Sequence, residues 1–123
     1  MINLRRTLLE KFPLKIRENL MQITLHFITE NTKPLQVIFF GSIITENFDE
    51  CSDIDVVAIY HDPVAADHAR RVLYGTKKSS EIKHPLEILC VDQKTFDTKS
   101  QIGGVFAVAL AEGKIFKLTP TKL

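Results

Sequence analysis

Apolar and polar positions change period along the chain, and those changes predict its elements. Ile16, Leu20, Ile23 and Phe27 fall at i, i+4, i+7 and i+11, a helical stripe with Lys15, Arg17, Glu18 and Gln22 off it. Pro13 suits a helix start, and Asn31-Thr32-Lys33-Pro34 stops it. A shorter helix over Leu4 to Lys11 is expected before it. Compact apolar runs follow. Leu35 to Phe40, ended by Gly41-Ser42, reads as a buried strand, as does Asp53 to Tyr60, where Val56, Val57, Ala58 and Ile59 are apolar on both faces.

Asp62-Pro63 supplies a cap and a first-turn proline for a helix over Val64 to Leu73, with Ala65, Ala69, Val72 and Leu73 at helical spacing. Leu86 to Val91 is the third strand. Thr95 to Lys99 reads as a turn or short helix, Ile102 to Glu112 as an apolar helix ended by Gly113, and Lys114 to Leu118 as a short last strand. Helices alternating with strands imply the α+β class, a mixed β-sheet with helices packed on it. No linker or repeat divides the chain. A single domain is expected over 1–123, with a helical N-terminal segment 1–33 and a core 34–118.

Composition narrows the class. With 45% hydrophobic residues in 123, the chain has enough apolar content to fold, so disorder is excluded; two cysteines exclude a disulfide scaffold. A formal charge of +1 does not mark a strongly basic nucleic-acid binder. Charged residues interrupt Met1 to Leu20, so no signal-peptide core fits there. The longest apolar run, Ile102 to Ala111, is about half of what a membrane span needs. A cytoplasmic protein without membrane contact is expected.

The charge pattern brings in chemistry. Gly41 to Asp62 holds six acids, Glu46, Asp49, Glu50, Asp53, Asp55 and Asp62, and no Lys or Arg. Glu46, Asp49 and Glu50 read as a solvated loop. Asp53 and Asp55 differ, because they open a strand that is otherwise apolar. Alternate strand residues share a face, so these carboxylates project together with Cα atoms roughly 6.6 Å apart. Two like charges at the rim of an apolar sheet call for a positive partner, and a divalent cation would serve. Gly41-Ser42, ending a strand, offers backbone N–H groups suited to phosphate. If the two strands are antiparallel, that turn and the Asp pair lie at the same end of the sheet.

Phe40-Gly41-Ser42, a spacer, then Ser52-Asp53-Ile54-Asp55-Val56 resembles the signature of the polymerase-beta-type nucleotidyltransferase superfamily, in its small, minimal nucleotidyltransferase branch. Leu86-Glu87-Ile88 is similar to the later strand that carries the family's third acid, and Ala111-Glu112-Gly113-Lys114-Ile115 to its closing helix, glycine and strand. The resemblance implies a nucleotidyltransferase fold with its catalytic core over 34–118. It implies Asp53, Asp55 and Glu87 as catalytic and metal-holding residues for two Mg²⁺ ions, and Gly41, Ser42 and Ser52 as nucleotide-binding residues. The implied reaction moves a nucleotidyl group, AMP from ATP, to a hydroxyl with release of pyrophosphate. A nucleic acid enters only as an acceptor. The resemblance also implies a separately encoded helical partner protein, as in toxin–antitoxin-like pairs.

One stretch departs from the family pattern. An arginine and a further glycine usually follow Gly-Ser, whereas here stand Ile43, Ile44, Thr45, Glu46 and Asn47. An alternative follows: a catalytically impaired module of the same fold that acts by binding a partner. Lys77, Lys78 or Lys83 are candidate replacements for the missing charge, and together with Arg70 and Arg71 they otherwise read as a solvated basic face. His26, His61, His68 and His84 have no zinc spacing. Cys90 reads as a small core residue, and Cys51, among acids, as unreactive. The Ile102 to Ala111 helix is expected to be buried in its own domain, or else against a homodimer mate or partner.

Overall fold

Residues 13–76 and 82–118 are described by a computed structural model. The expected helix over Leu4 to Lys11 lies outside them. Helix α1, Leu14–Asn31, begins at Pro13, whose carbonyl accepts the Ile16 and Arg17 N–H groups at 3.0 and 3.1 Å. It ends where Thr32 turns extended and donates both its N–H and its hydroxyl to the Ile28 carbonyl, each at 2.9 Å.

The buried face of α1 keeps only part of the expected stripe, Phe27 and the partly buried Leu20. Arg17, Met21, Thr24, Phe27 and Ile28 are buried, while Ile16 and Ile23 are nearly half exposed. Positions 17, 21, 24 and 28 have the same helical spacing as 16, 20, 23 and 27, so periodicity cannot choose between them. Partners decide. The Thr24 hydroxyl donates to the Leu20 carbonyl at 2.8 Å and an Arg17 N–H to the Ile43 carbonyl at 3.3 Å, so both polar side chains tolerate burial.

Strand β1, Gln36–Phe40, pairs antiparallel with β2, Ile54–Tyr60. Asp62 caps helix α2, Pro63–Thr76, its carboxylate accepting the Ala65 N–H at 2.7 Å. That helix carries the chain across to β3, Leu86–Asp92, parallel to β2. The last strand, β4, Lys114–Lys117, runs antiparallel along the other side of β1. The described residues thus form a mixed four-stranded sheet of order β3-β2-β1-β4, in the α+β class that the sequence implies.

The expected turn at Thr95 is a full helix, α3, Gln93–Ile102. Asp92 makes the difference: its carboxylate accepts the Thr95 N–H at 3.0 Å and so caps α3. The hydrogen bonds from Thr95 also hold this carboxyl below its ordinary pKa. The expected apolar helix is shorter, because Gly103 and Gly104, with φ 135° and 80°, break it from Ile102 and leave α4 as Val105–Glu112.

Both faces of the sheet are covered. Val56, Ala58 and Tyr60 pack against Met21 and Ile28 of α1 and Ala69 and Leu73 of α2. Val57 and Ile59 pack with Ile38, Phe96 and Ala109 on the other face. The Tyr60 hydroxyl donates to Thr32 Oγ1 at 2.7 Å, and burial pushes this phenol above its ordinary pKa. Cys90 is buried and Cys51 exposed, both as free thiols; burial pushes the Cys90 thiol up as well. Helix α4 is the correction on this side. Ala109 is fully buried, but Val105, Val108 and Leu110 are exposed. Phe96 and Phe106 meet edge to face at 5.5 Å against the same small cluster, and so little sheet surface is left for an eight-residue helix to cover itself with.

Gly113 sets the exit from α4 into β4. A Cβ there would lie 2.5 Å from the Ala109 carbonyl and from Ile38 Cγ2, and 2.8 Å from the Phe39 carbonyl. Gly113→Ala is expected to cost about 1–3 kcal/mol through this overpacking. Urea unfolding reads it as a lower midpoint with unchanged slope; an unmoved midpoint would mean that β4 yields freely. Among the described residues, no helix is long and apolar enough to cross a membrane.

Candidate functional site

β1 delivers the chain to one corner of the sheet. Its last residue, Phe40, lies opposite Asp55 of β2, and Gly41 follows at φ 78°, opening a 3₁₀ turn over Gly41–Ile44. Gly41 is required twice at this point. Its backbone is left-handed, which side chains with a Cβ resist. A Cβ would also stand 2.6 Å from Asp55 Oδ2, so the absent side chain is the space that the carboxylate fills.

Across β2 and β3 the parallel register sets Asp55 beside Glu87. Asp55 shares its strand face with Val57 and Ile59, which puts the pair on the α3 and α4 side of the sheet, at the N-terminal ends of both strands. Three influences raise the Asp55 carboxyl above its ordinary value: burial first, then a hydrogen bond with Glu87, then the charges of Glu87 and Asp53. Asp53 is exposed and immediately precedes β2. Among the described residues, no three His, Cys, Asp or Glu side chains stand grouped as a metal-ion cage.

The loop between the turn and β2 is ordered by its own polar groups. Thr45 closes the turn, its N–H and hydroxyl donating to the Ser42 carbonyl at 2.9 and 2.8 Å. Phe48 is fully buried, its ring 4.9 Å from that of His84. Ser52 is occupied within the loop: its hydroxyl donates to Asp49 Oδ1 at 3.1 Å and accepts the Asp49 N–H at 3.0 Å. The Ser52 carbonyl accepts from His84 Nδ1 at 3.0 Å, which ties the approach of β2 to the approach of β3. Asp49, expected as a solvated acid, therefore shapes the loop; Glu46 and Glu50 are exposed as expected.

Of the residues singled out from sequence, Gly41, Asp55 and Glu87 are brought to one corner, with Ser42 in the adjoining turn and Ser52 and Asp53 leading into β2. Arg70 and Arg71 do not join them. Both pair with Asp67, at 2.8 and 2.7 Å, Lys83 is exposed, and Lys77 and Lys78 lie outside the described residues. His26 and His61 sit 2.9 Å from Glu30 and Asp62, at the surface. Sequence reasoning missed Arg17, which is 6% exposed and reaches the Ile43 carbonyl from α1. Its signal was the second helical set, 17, 21, 24 and 28. A groove of about 820 Å³ runs along the far part of β3, between Asp67, Arg70, Cys90, Thr95 and Phe106, and none of the sequence-derived site residues line it.

The chain matches no protein-family model, no curated protein and no solved structure.

Proposed function

We propose that this chain is a Mg²⁺-dependent nucleotidyltransferase that moves AMP from ATP to a hydroxyl acceptor. The supporting observation is the register that sets Asp55 beside Glu87 on one sheet face, with Gly41 against the same carboxylate. Two adjacent carboxyls are poorly placed for structure alone; their all-oxygen donor set suits a hard divalent cation. Mg²⁺ is commonly held by one or two carboxylates together with substrate phosphates. Asp55 and Glu87 would hold the ion; Asp53, which is not grouped with them as a third ligand here, would have to turn towards it on binding.

When bound, Mg²⁺ would neutralise the triphosphate and lower the pKa of the acceptor hydroxyl. The residues of the chain do the rest in this reading. The Gly41-Ser42 backbone receives the β- and γ-phosphates, and Glu87 takes the acceptor proton. The acceptor oxygen bonds to the α-phosphorus, the bond from that phosphorus to the bridging oxygen breaks, and pyrophosphate leaves with the electron pair. A cytoplasmic setting suits an ATP-using enzyme.

Calorimetric titration with Mg²⁺ and a non-hydrolysable ATP analogue tests this reading. Wild type is expected to bind and Asp53→Asn to lose at least about tenfold in affinity. Failure of both proteins to bind at millimolar nucleotide would end it. A second reading would then stand: a catalytically impaired module of the same fold that docks a helical partner protein. The exposed Val105, Val108 and Leu110 of α4 favour it.

A further inference from the structure

β3 is an edge strand of the sheet, and its open side forms the floor of the groove of about 820 Å³. Ile54 donates its N–H to the Pro85 carbonyl, which fixes the alternation along β3. Glu87, Leu89 and Val91 turn their backbone groups to β2, while Ile88 and Cys90 turn theirs outward. Arg70 of α2 donates to the outward Cys90 carbonyl at 2.9 Å. Among the described residues, the Ile88 N–H and carbonyl and the Cys90 N–H have no hydrogen-bond partner. Folded proteins commonly cover or blunt such an edge. Here the edge is left open between two walls, Val64, Asp67 and Arg71 of α2 on one side, Lys99 of α3 and Phe106 of α4 on the other. Its floor from Ile88 to Asp92 extends over about 16 Å, the length of an ordinary short strand. The groove is also cationic. Asp67 is a single carboxylate for two guanidiniums, at 2.8 Å from Arg70 and 2.7 Å from Arg71. Lys99 is exposed and has no ion-pair partner among the described residues, and the Asp92 carboxylate is engaged in capping α3.

We propose that the β3 edge is a docking site for an extended acidic segment of a partner protein, which adds a fifth strand to the sheet. Backbone pairing with Ile88 and Cys90 supplies the affinity, and alternate side chains of the segment fall on the two walls. Its carboxylates meet Arg71 and Lys99, and its apolar side chains lie against Val64 and Phe106. A second copy of the chain would bring the same excess of positive charge to the edge and be repelled. A nucleic-acid strand has the complementary charge but no row of N–H and carbonyl groups at strand spacing. This site neither uses nor requires the nucleotide corner.

The test uses a short fluorescent peptide of alternating Glu and Val, with its Lys-and-Val counterpart as control. Anisotropy reads binding, and amide hydrogen exchange reads the place. The acidic peptide is expected to bind and to slow exchange at the Ile88 and Cys90 N–H groups by about tenfold or more, leaving Leu89 and Val91, already bonded to β2, unchanged. Arg71→Gln combined with Lys99→Gln, both at exposed positions, should weaken binding by about tenfold. Ile88→Pro removes an outward N–H without touching the β2 ladder and should abolish binding. If that variant does not fold, exchange at Ile88 and Cys90 in wild type still decides. No binding at millimolar peptide, binding without protection of those two amides, equal binding of the Lys-and-Val peptide, or a folded Ile88→Pro that binds like wild type overturns the proposal. Protection of the same amides by a thymidine oligonucleotide, or by raised protein concentration alone, would assign the edge to nucleic acid or to a second copy and overturns it too.

Discussion

Gly41→Ala is expected to lower the stability of the fold by about 2–4 kcal/mol, combining the left-handed backbone penalty with overpacking. The two costs have separate origins. At φ 78° any Cβ strains the backbone, wherever the neighbours are. The position 2.6 Å from Asp55 Oδ2 then forces either the carboxylate or the turn to move. If the carboxylate moves, it leaves its place beside Glu87, and the corner loses its arrangement together with its stability. Urea unfolding should show a clear drop in midpoint, and in the folded fraction the response to Mg²⁺ with nucleotide should be lost. A control separates the effects. Gly103, with φ 135° and nothing within 4 Å of an added Cβ, carries the backbone penalty alone, so Gly103→Ala should cost less. Equal costs at the two glycines would show that contact with Asp55 contributes nothing.

The sheet was legible because its strands are apolar runs with sharp ends. Val56 to Ile59 reads as a strand buried on both faces, and it is the strand flanked by β1 and β3. Asp62-Pro63 reads as a helix start because cap and proline act locally. Other features depend on distant partners that no window of sequence contains. The buried face of α1 turns on whether Arg17 finds a carbonyl, and that carbonyl belongs to Ile43. The α3–α4 break was hidden by the apolar composition from Ile102 onwards, which drew Gly103-Gly104 into one helix over Ile102 to Glu112. At the candidate site, Gly41 and Asp55 were legible from their spacing, since an antiparallel pair with a short connection must return near its origin. Glu87 entered by resemblance, not from its own pattern. A one-residue slip between β2 and β3 would have put it on the other face.

Asp55→Asn carries the other large effect, and it runs in two directions. Without divalent cation the variant is expected to be more stable than wild type by about 0.2–1 kcal/mol, because like charges directly opposite across strands repel and an amide can donate to Glu87. Its pH dependence follows from the direction of the shift. Burial and the neighbouring acids raise the Asp55 pKa in the fold, so the folded protein holds this proton more tightly than the unfolded chain. That contribution is fully present below the ordinary aspartate pKa and is lost as pH rises through the raised value. Metal-free wild type should therefore lose stability relative to Asp55→Asn from acid towards neutral pH. Asp92 slopes the opposite way, since its lowered pKa favours the fold above the ordinary value, but it is common to both proteins and cancels in the difference. Adding Mg²⁺ should raise the melting temperature of wild type, because an ion bound only by the folded state stabilises it, and should leave the variant unmoved. Nucleotidyl transfer should fall by about 100-fold or more in the variant, a loss of about 2.7 kcal/mol in transition-state stabilisation. Parallel pH profiles for the two proteins would mean that the fold does not raise the Asp55 carboxyl. An equal Mg²⁺ response would mean that the ion is held elsewhere. A corner that is better packed without its carboxylate and chemically idle without it is what a site kept for function, at the expense of stability, should look like.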